Sequence, residues 1–122
     1  MCSKSHGERS ITKWLEDNTI EFIPQYRFDN CRDVEPLPFD FYLPEHNICI
    51  EYDGEQHFKP VNFGGVSDER AMINFNKTQE HDAIKNNYCK HNNIMLVRIS
   101  YLDKNNIDDI LADVIKNNIF DF

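Results

Sequence analysis

Seven side chains in this sequence combine type and spacing in a way that could do chemistry: Glu8, Asp40, Glu51, Asp53, His57, Asp82 and Lys85. Asp40 stands between Phe39 and Phe41 in a short aromatic run, where a buried carboxylate is costly unless it is paired or bound to a cation. Glu51 and Asp53 lie two apart in Ile48-Cys49-Ile50-Glu51-Tyr52-Asp53. Strand side chains alternate, so both carboxylates share a face with Cys49, while Ile48, Ile50 and Tyr52 take the other. If Phe39 and Phe41 both face inward, Asp40 faces the opposite side, and pairing of the two strands brings it beside Glu51 and Asp53. Three such carboxylates repel one another, and a divalent cation that prefers hard oxygen ligands, Mg²⁺ or Mn²⁺, relieves the repulsion. Without a cation the same trio is a solvated sheet face.

His57, four residues past Asp53, can take a proton from water near neutral pH. Asp82 and Lys85 stand at i, i+3, either as an ordinary helix ion pair or as an orienter for His57 and a phosphate contact. Glu8 in the first turn of a helix has a simple electrostatic explanation, because carboxylates there favour the helix dipole.

These residues need elements to hold them. Ile11, Trp14 and Leu15 at helical spacing predict a helix over Ser5–Asn18. Ile20–Phe28 reads as a strand that bends or ends at Pro24, followed by a polar loop over Asp29–Pro36. Pro38–Pro44 and Ile48–Asp53 form a hairpin across Pro44-Glu45-His46-Asn47. Gly54 ends the second strand, and Glu55–Lys77 is expected to be a long irregular segment of the kind that is often functional. A second helix is expected over Thr78–Asn92 with Ala83, Ile84 and Tyr88 turned inward. Ile94–Ile99 is a nearly continuous apolar run, as in a buried parallel strand, and Ile107, Ile110, Leu111, Val114 and Ile115 mark a last helix over Asn105–Asn118. The order α-β-β-β-α-β-α predicts an α/β sandwich with a small mixed sheet flanked by helices.

The 122 residues suit one domain, and the formal net charge of −8 argues against a protein that coats phosphate backbones by charge alone. Met1–Ser10 is polar, and no apolar run approaches the roughly 20 residues needed to cross a bilayer, so a cytoplasmic protein without a membrane role is expected. Cys2, Cys31, Cys49 and Cys89 form no C-x-x-C pair, which disfavours a structural zinc site. Cys2 with His6 and Cys89 with His91 are the remaining ligand pairs; reduced thiols are the simpler reading. Lys4, Arg9, Lys13, Lys59, Arg70, Lys77 and Lys85 could contact phosphates, and Phe58, Phe63 or Trp14 could wedge against a base.

In order and spacing, Ser5-His6-Gly7-Glu8, Phe39-Asp40-Phe41-Tyr42-Leu43-Pro44, Ile50-Glu51-Tyr52-Asp53-Gly54-Glu55-Gln56-His57-Phe58 and His81–Cys89 resemble the very-short-patch-repair-like branch of the PD-(D/E)XK nuclease superfamily, over about Ser5 to Tyr101. Within that branch the chain is most similar to the EDxHD type, found in some phage-encoded homing endonucleases and free-standing viral or bacterial proteins. The resemblance implies a restriction-endonuclease-like fold, a single endonuclease-like domain over 1–122, and metal-dependent hydrolysis of DNA with Mg²⁺, or Mn²⁺ in its place. Glu8, Asp40, His57 and Asp82 would fill the E, D, H and D of the pattern, with Asp40 as principal metal ligand, Asp53 or Glu51 beside it, and Glu8 holding a metal-bound water or a second ion. Position 53 carries Asp where the superfamily has Lys, so His57, with Lys85 as a second candidate, would take over part of the lysine's work. DNA is the expected partner, with a homodimer or a recruiting protein as further possibilities and the host-cell cytoplasm as the site of action for a phage or viral protein. Alternatives are a nuclease-fold binding or assembly module without catalysis, a nuclease for RNA or branched DNA, and a small metal-binding protein.

Overall fold

The computed structural model describes residues 5–61, 65 and 67–117, and the element order is the expected one. Helix α1 (His6–Asp17) starts at Ser5, whose hydroxyl accepts the Glu8 N–H, and buries Ile11, Trp14 and Leu15. This is the side-chain cap that the first turn of a helix needs for its unpaired donors. Strands β1 (Ile23–Arg32), β2 (Pro36–Leu43) and β3 (Ile48–Asp53) form an antiparallel meander, and β4 (Met95–Ser100) adds in parallel to β3 after helix α2 (Asp68–His91). The sheet is therefore a four-stranded mixed sheet in the order β1-β2-β3-β4, the general α/β class anticipated above. Helix α3 (Ile107–Leu111) runs on into a π-type turn over Ala112–Lys116, which carries the buried Ile115.

Three boundaries differ from expectation. Strand β1 runs through Pro24 and consumes most of the predicted loop, because it is an edge strand where a residue without an N–H is tolerated. The expected Asp29–Pro36 loop contracts to Asp33-Val34-Glu35. Helix α2 starts ten residues earlier than predicted, at Asp68, capped by the Ser67 hydroxyl on the Arg70 N–H with Asp68 and Glu69 in its first turn. At 24 residues it is about 36 Å long, whereas six-residue strands such as β3 span about 20 Å. Its first half overhangs the sheet, which leaves Met72 and Ile73 exposed. The inward stripe also changes: Ala83 is exposed, while Lys85 and Cys89 are buried.

Two clusters of buried side chains flank the sheet. One packs Ile11, Trp14 and Leu15 of α1 and Ile107, Leu111 and Ile115 against Phe41, Ile48 and Ile50; the other packs Cys89 of α2 with Cys31, Phe39, Cys49 and Ile94. Ile48, Ile50 and Tyr52 thus face α1 and α3, and Cys49 faces α2, as the alternation predicts. Phe39 and Phe41 do not share a side. They belong to different clusters, so β2 changes face at Asp40, and Gln25 of β1, between the paired residues Pro24 and Tyr26, takes a left-handed φ of 53°. The structure thereby corrects the expectation that both phenylalanines point one way.

Candidate active site

The regular β2·β3 ladder ends at Phe41 opposite Ile50. Beyond it, side chains replace the rungs. The Asp40 N–H donates to Glu51 Oε1 at 3.1 Å, and the Tyr52 N–H donates to Asp40 Oδ2 at 2.8 Å. Each carboxylate thus holds the backbone of the opposite strand, and the two acids are fixed next to each other by the same contacts that part the strands. Lys85, reaching in from α2, places its Nζ 3.2 and 3.3 Å from the two oxygens of Glu51 and 5.3 Å from the centre of the Phe39 ring. Glu51 is 2% exposed and Lys85 8%.

A buried ion pair needs good geometry to offset desolvation, and here the cation is outnumbered. Burial, then the neighbouring Asp40 charge, pushes the Glu51 carboxyl up to about 7 in spite of Lys85. Asp40 is also raised, first by burial; the Tyr52 N–H works the other way and the charge of Glu8 adds to the rise. Glu8 comes close because α1 sits directly on β3: a Cβ on Gly7 would lie 2.2 Å from the Tyr52 ring, so only glycine allows the approach. The Glu8 carboxylate also accepts the Ser5 hydroxyl at 3.3 Å.

One strand step further along β3 lies a second group. After Gly54 a single 3₁₀ turn (Glu55–His57) folds His57 back over the strand end, and Gln79 of α2 donates to its carbonyl at 2.9 Å. His57 Nδ1 is 2.9 Å from Asp82 Oδ2 and 3.6 Å from Asp53 Oδ1. Facing a carboxylate at that distance, Nδ1 carries the proton and leaves Nε2 as the basic nitrogen of the neutral ring. The hydrogen bond with Asp82 raises the pKa of His57 against burial, which lowers it; at Asp82 burial acts upward, and the contact with His57 and the nearby cations outweigh it and lower the carboxyl below its usual range.

Arg98 of β4 completes this group, and sequence reasoning did not single it out. Its Nη1 donates to both oxygens of Asp53, at 2.9 and 3.1 Å, and lies 3.6 Å from Asp82 Oδ1. The signal was present: Arg98 is the lone charge in an apolar strand, at the position that pairs with Glu51.

Of the seven candidate residues the structure draws together Glu8, Asp40, Glu51 and Lys85 in one group and Asp53, His57 and Asp82 in the next. Asp53 stands one strand step from the Asp40 and Glu51 pair, where both its oxygens accept from Arg98 Nη1. Among the described residues no group of three or more His, Cys, Asp or Glu side chains is arranged to hold a metal ion. What remains for a divalent cation is the pair Asp40 and Glu51 with Glu8 nearby. That donor set fits Mg²⁺, which keeps several waters and is usually bound through one or two carboxylates and substrate phosphates. Cys89 is buried and unbridged like Cys31 and Cys49, and His91 turns back onto the Asn87 carbonyl, so these two form no ligand pair. Among the proposed phosphate contacts Lys13, Lys59 and Lys77 are each engaged 2.8 Å from a carboxylate. Phe58 is exposed beside Tyr101, Trp14 is buried in the core, and Cys2, Lys4 and Phe63 lie outside the described residues.

No known protein family matches the chain, and no solved structure does. Two viral proteins are similar to it. Uncharacterized protein 307L of Invertebrate iridescent virus 6 is 31% identical over 68 residues, 56% of this chain and 32% of the relative; uncharacterized protein 033L of Invertebrate iridescent virus 3 is 27% identical over 103 residues, 82% of this chain and 51% of the relative. The chain thus spans about a third to a half of the length of the curated relatives it matches. Among the described residues no helix is long and apolar enough to cross a membrane.

Proposed function

We propose that the chain is a restriction-endonuclease-like domain that hydrolyses phosphodiester bonds in DNA with Mg²⁺ or Mn²⁺ held by Asp40 and Glu51. The observation that carries this reading is the crossed pair itself: two carboxylates fixed by each other's strand, both raised in pKa by burial first and then by a neighbouring carboxylate (Asp40 for Glu51, Glu8 for Asp40), with one buried ammonium between Glu51 and α2. Structural carboxylates are seldom left so short of positive charge, whereas sites that receive a cation and a phosphate are built this way. The bound ion supplies Lewis-acid polarisation of the phosphate. Lys85 brings an ammonium to the carboxylate pair from the helix, at a site where position 53 offers no lysine. His57, with Nδ1 tied to Asp82, presents Nε2 to accept a proton from the attacking water. Glu8 adds a third carboxylate whose charge is felt at Asp40.

The two similar viral proteins support a virus-encoded protein; on the nuclease reading it acts in the host-cell cytoplasm, either as a homodimer on DNA or recruited by a partner protein, since its net charge of −8 gives it little attraction for a phosphate backbone. The test is nicking of supercoiled plasmid by the wild type with Mg²⁺ or Mn²⁺, with parallel RNA and branched-DNA substrates. Cleavage that stops in EDTA and falls by about 100-fold or more in Asp40→Asn is expected, as for loss of a group that stabilises developing charge. Undiminished cleavage by Asp40→Asn, or none by the wild type on any substrate, overturns the reading.

A further inference from the structure

We infer that Gln25 is a positioning residue for Asp40: from the edge strand its carboxamide holds the Asp40 carboxylate in the orientation that receives a divalent cation. This rests on the proposed metal site at Asp40 and Glu51. Pro24 pairs with Phe41 and Tyr26 with Phe39, so Gln25 stands opposite Asp40. The Asp40 carboxylate is then approached from both neighbouring strands. On the β3 side the Tyr52 N–H donates to Oδ2 at 2.8 Å, and on the β1 side the Gln25 side chain is a second hydrogen-bond partner. Burial raises the Asp40 carboxyl, and both of these contacts act against the rise.

The backbone of Gln25 carries the second part of the argument. Four residues other than glycine take a positive φ among the described residues: Thr19 and Asn93 just past the ends of α1 and α2, Asn47 in the β2–β3 turn, and Gln25 at 53° inside β1. The first three sit where the chain reverses, and two of them are asparagines, which tolerate this region. Gln25 lies within a strand and has a β-carbon and a long side chain, so its backbone is held in a costly conformation. Such conformations persist where the surroundings enforce them, and they concentrate at functional sites. Here the cost falls at the level of the sheet where β2 changes face between Phe39 and Phe41. Gln25 is itself exposed, so core packing does not demand its side chain. What the side chain gains is the contact with Asp40. Without it the carboxylate pivots on the Tyr52 N–H, under the charge of Glu8. Hydrogen-bond partners that orient a metal ligand are typically worth about 10- to 100-fold in metal affinity.

Gln25→Gly separates this role from a structural one, because it removes the carboxamide and at the same time suits the left-handed backbone. The expected result is a thermal midpoint in EDTA at or above that of the wild type, together with Mn²⁺ affinity weaker by about 10- to 100-fold, measured by electron paramagnetic resonance on the full chain. Gln25→Ala lacks the amide without relieving the backbone and should show the same loss of affinity. A readout that needs no metal is the NMR signal of the Gln25 side-chain amide, which should be displaced from that of a free carboxamide in the wild type and return to it in Asp40→Ala. Unchanged Mn²⁺ affinity in either Gln25 variant, a midpoint that falls together with affinity in Gln25→Gly, or an amide signal indifferent to Asp40→Ala overturns the inference. If the wild type binds no Mn²⁺ while the amide responds to Asp40→Ala, the metal reading falls and the hold of Gln25 on Asp40 stands.

Discussion

The two charged groups along β3 are built from the same kinds of residue and differ in balance. Asp53 and Asp82 are matched by Arg98 and an ionisable His57, each contact is close, and the arrangement is closed on itself. Asp40 and Glu51, with Glu8 nearby, face the buried ammonium of Lys85, and burial first, then a neighbouring carboxylate, raises both in pKa. A balanced group can hold a side chain in one orientation; a group short of positive charge is prepared to receive it. The comparison therefore divides the labour of the proposed site, with orientation of a base at the strand end and reception of a cation one step below.

Breaking the balanced group should have the largest effect. His57→Ala is expected to reduce metal-dependent nicking by about 10²- to 10⁴-fold, the range typical of a lost general base, with the fold and Mn²⁺ binding retained. Circular dichroism and plasmid nicking on the same preparation check this, and wild-type rates in the variant would remove His57 from the mechanism.

Titrating the unbalanced group sharpens the contrast. The folded pKa of Glu51, about 7, lies above its ordinary value of 4.5, so the native state binds this proton more tightly than the unfolded chain does. Stability is then fully present at low pH and is lost as pH rises from about 4.5 through 7, a change on the order of 3 kcal/mol for this one group. His57, also raised, loses its contribution in the same direction as pH climbs through its folded pKa. Urea unfolding in EDTA at pH 5 to 8 should show the decline, and Glu51→Gln should flatten it. A wild-type stability that rises over this window would contradict the assigned imbalance.

A smaller effect should come from the seat of Glu8. Gly7→Ala places a methyl group against the Tyr52 ring, 2.2 Å from its nearest carbon, and is expected to cost about 1–3 kcal/mol as α1 shifts outward. Thermal unfolding measures it; an unchanged midpoint would show that α1 does not need this close approach.

Much of this framework was legible in the sequence because local pattern and burial agree. Ile11, Trp14 and Leu15 marked α1, and the alternation in Ile48–Asp53 correctly separated the apolar face from the one carrying Glu51 and Asp53. The first half of α2 was not legible because Met72 and Ile73 lie on its exposed side and give no inward stripe, although Ser67-Asp68-Glu69 was a readable start signal. The crossing of Asp40 and Glu51 was hidden by the change of face between Phe39 and Phe41, a property of paired strands that no single strand displays. Arg98 was hidden for another reason: its partner Asp53 is 45 residues away, and only the parallel register of β3 and β4 brings them together.

The division of labour is tested most directly by counting bound Mn²⁺ by electron paramagnetic resonance in the wild type, Asp40→Asn, Glu51→Gln and Asp53→Asn. Binding should be present in the wild type, lost in the first two variants and kept in Asp53→Asn. Loss in Asp53→Asn with retention in Glu51→Gln, or no binding by the wild type, would contradict the account.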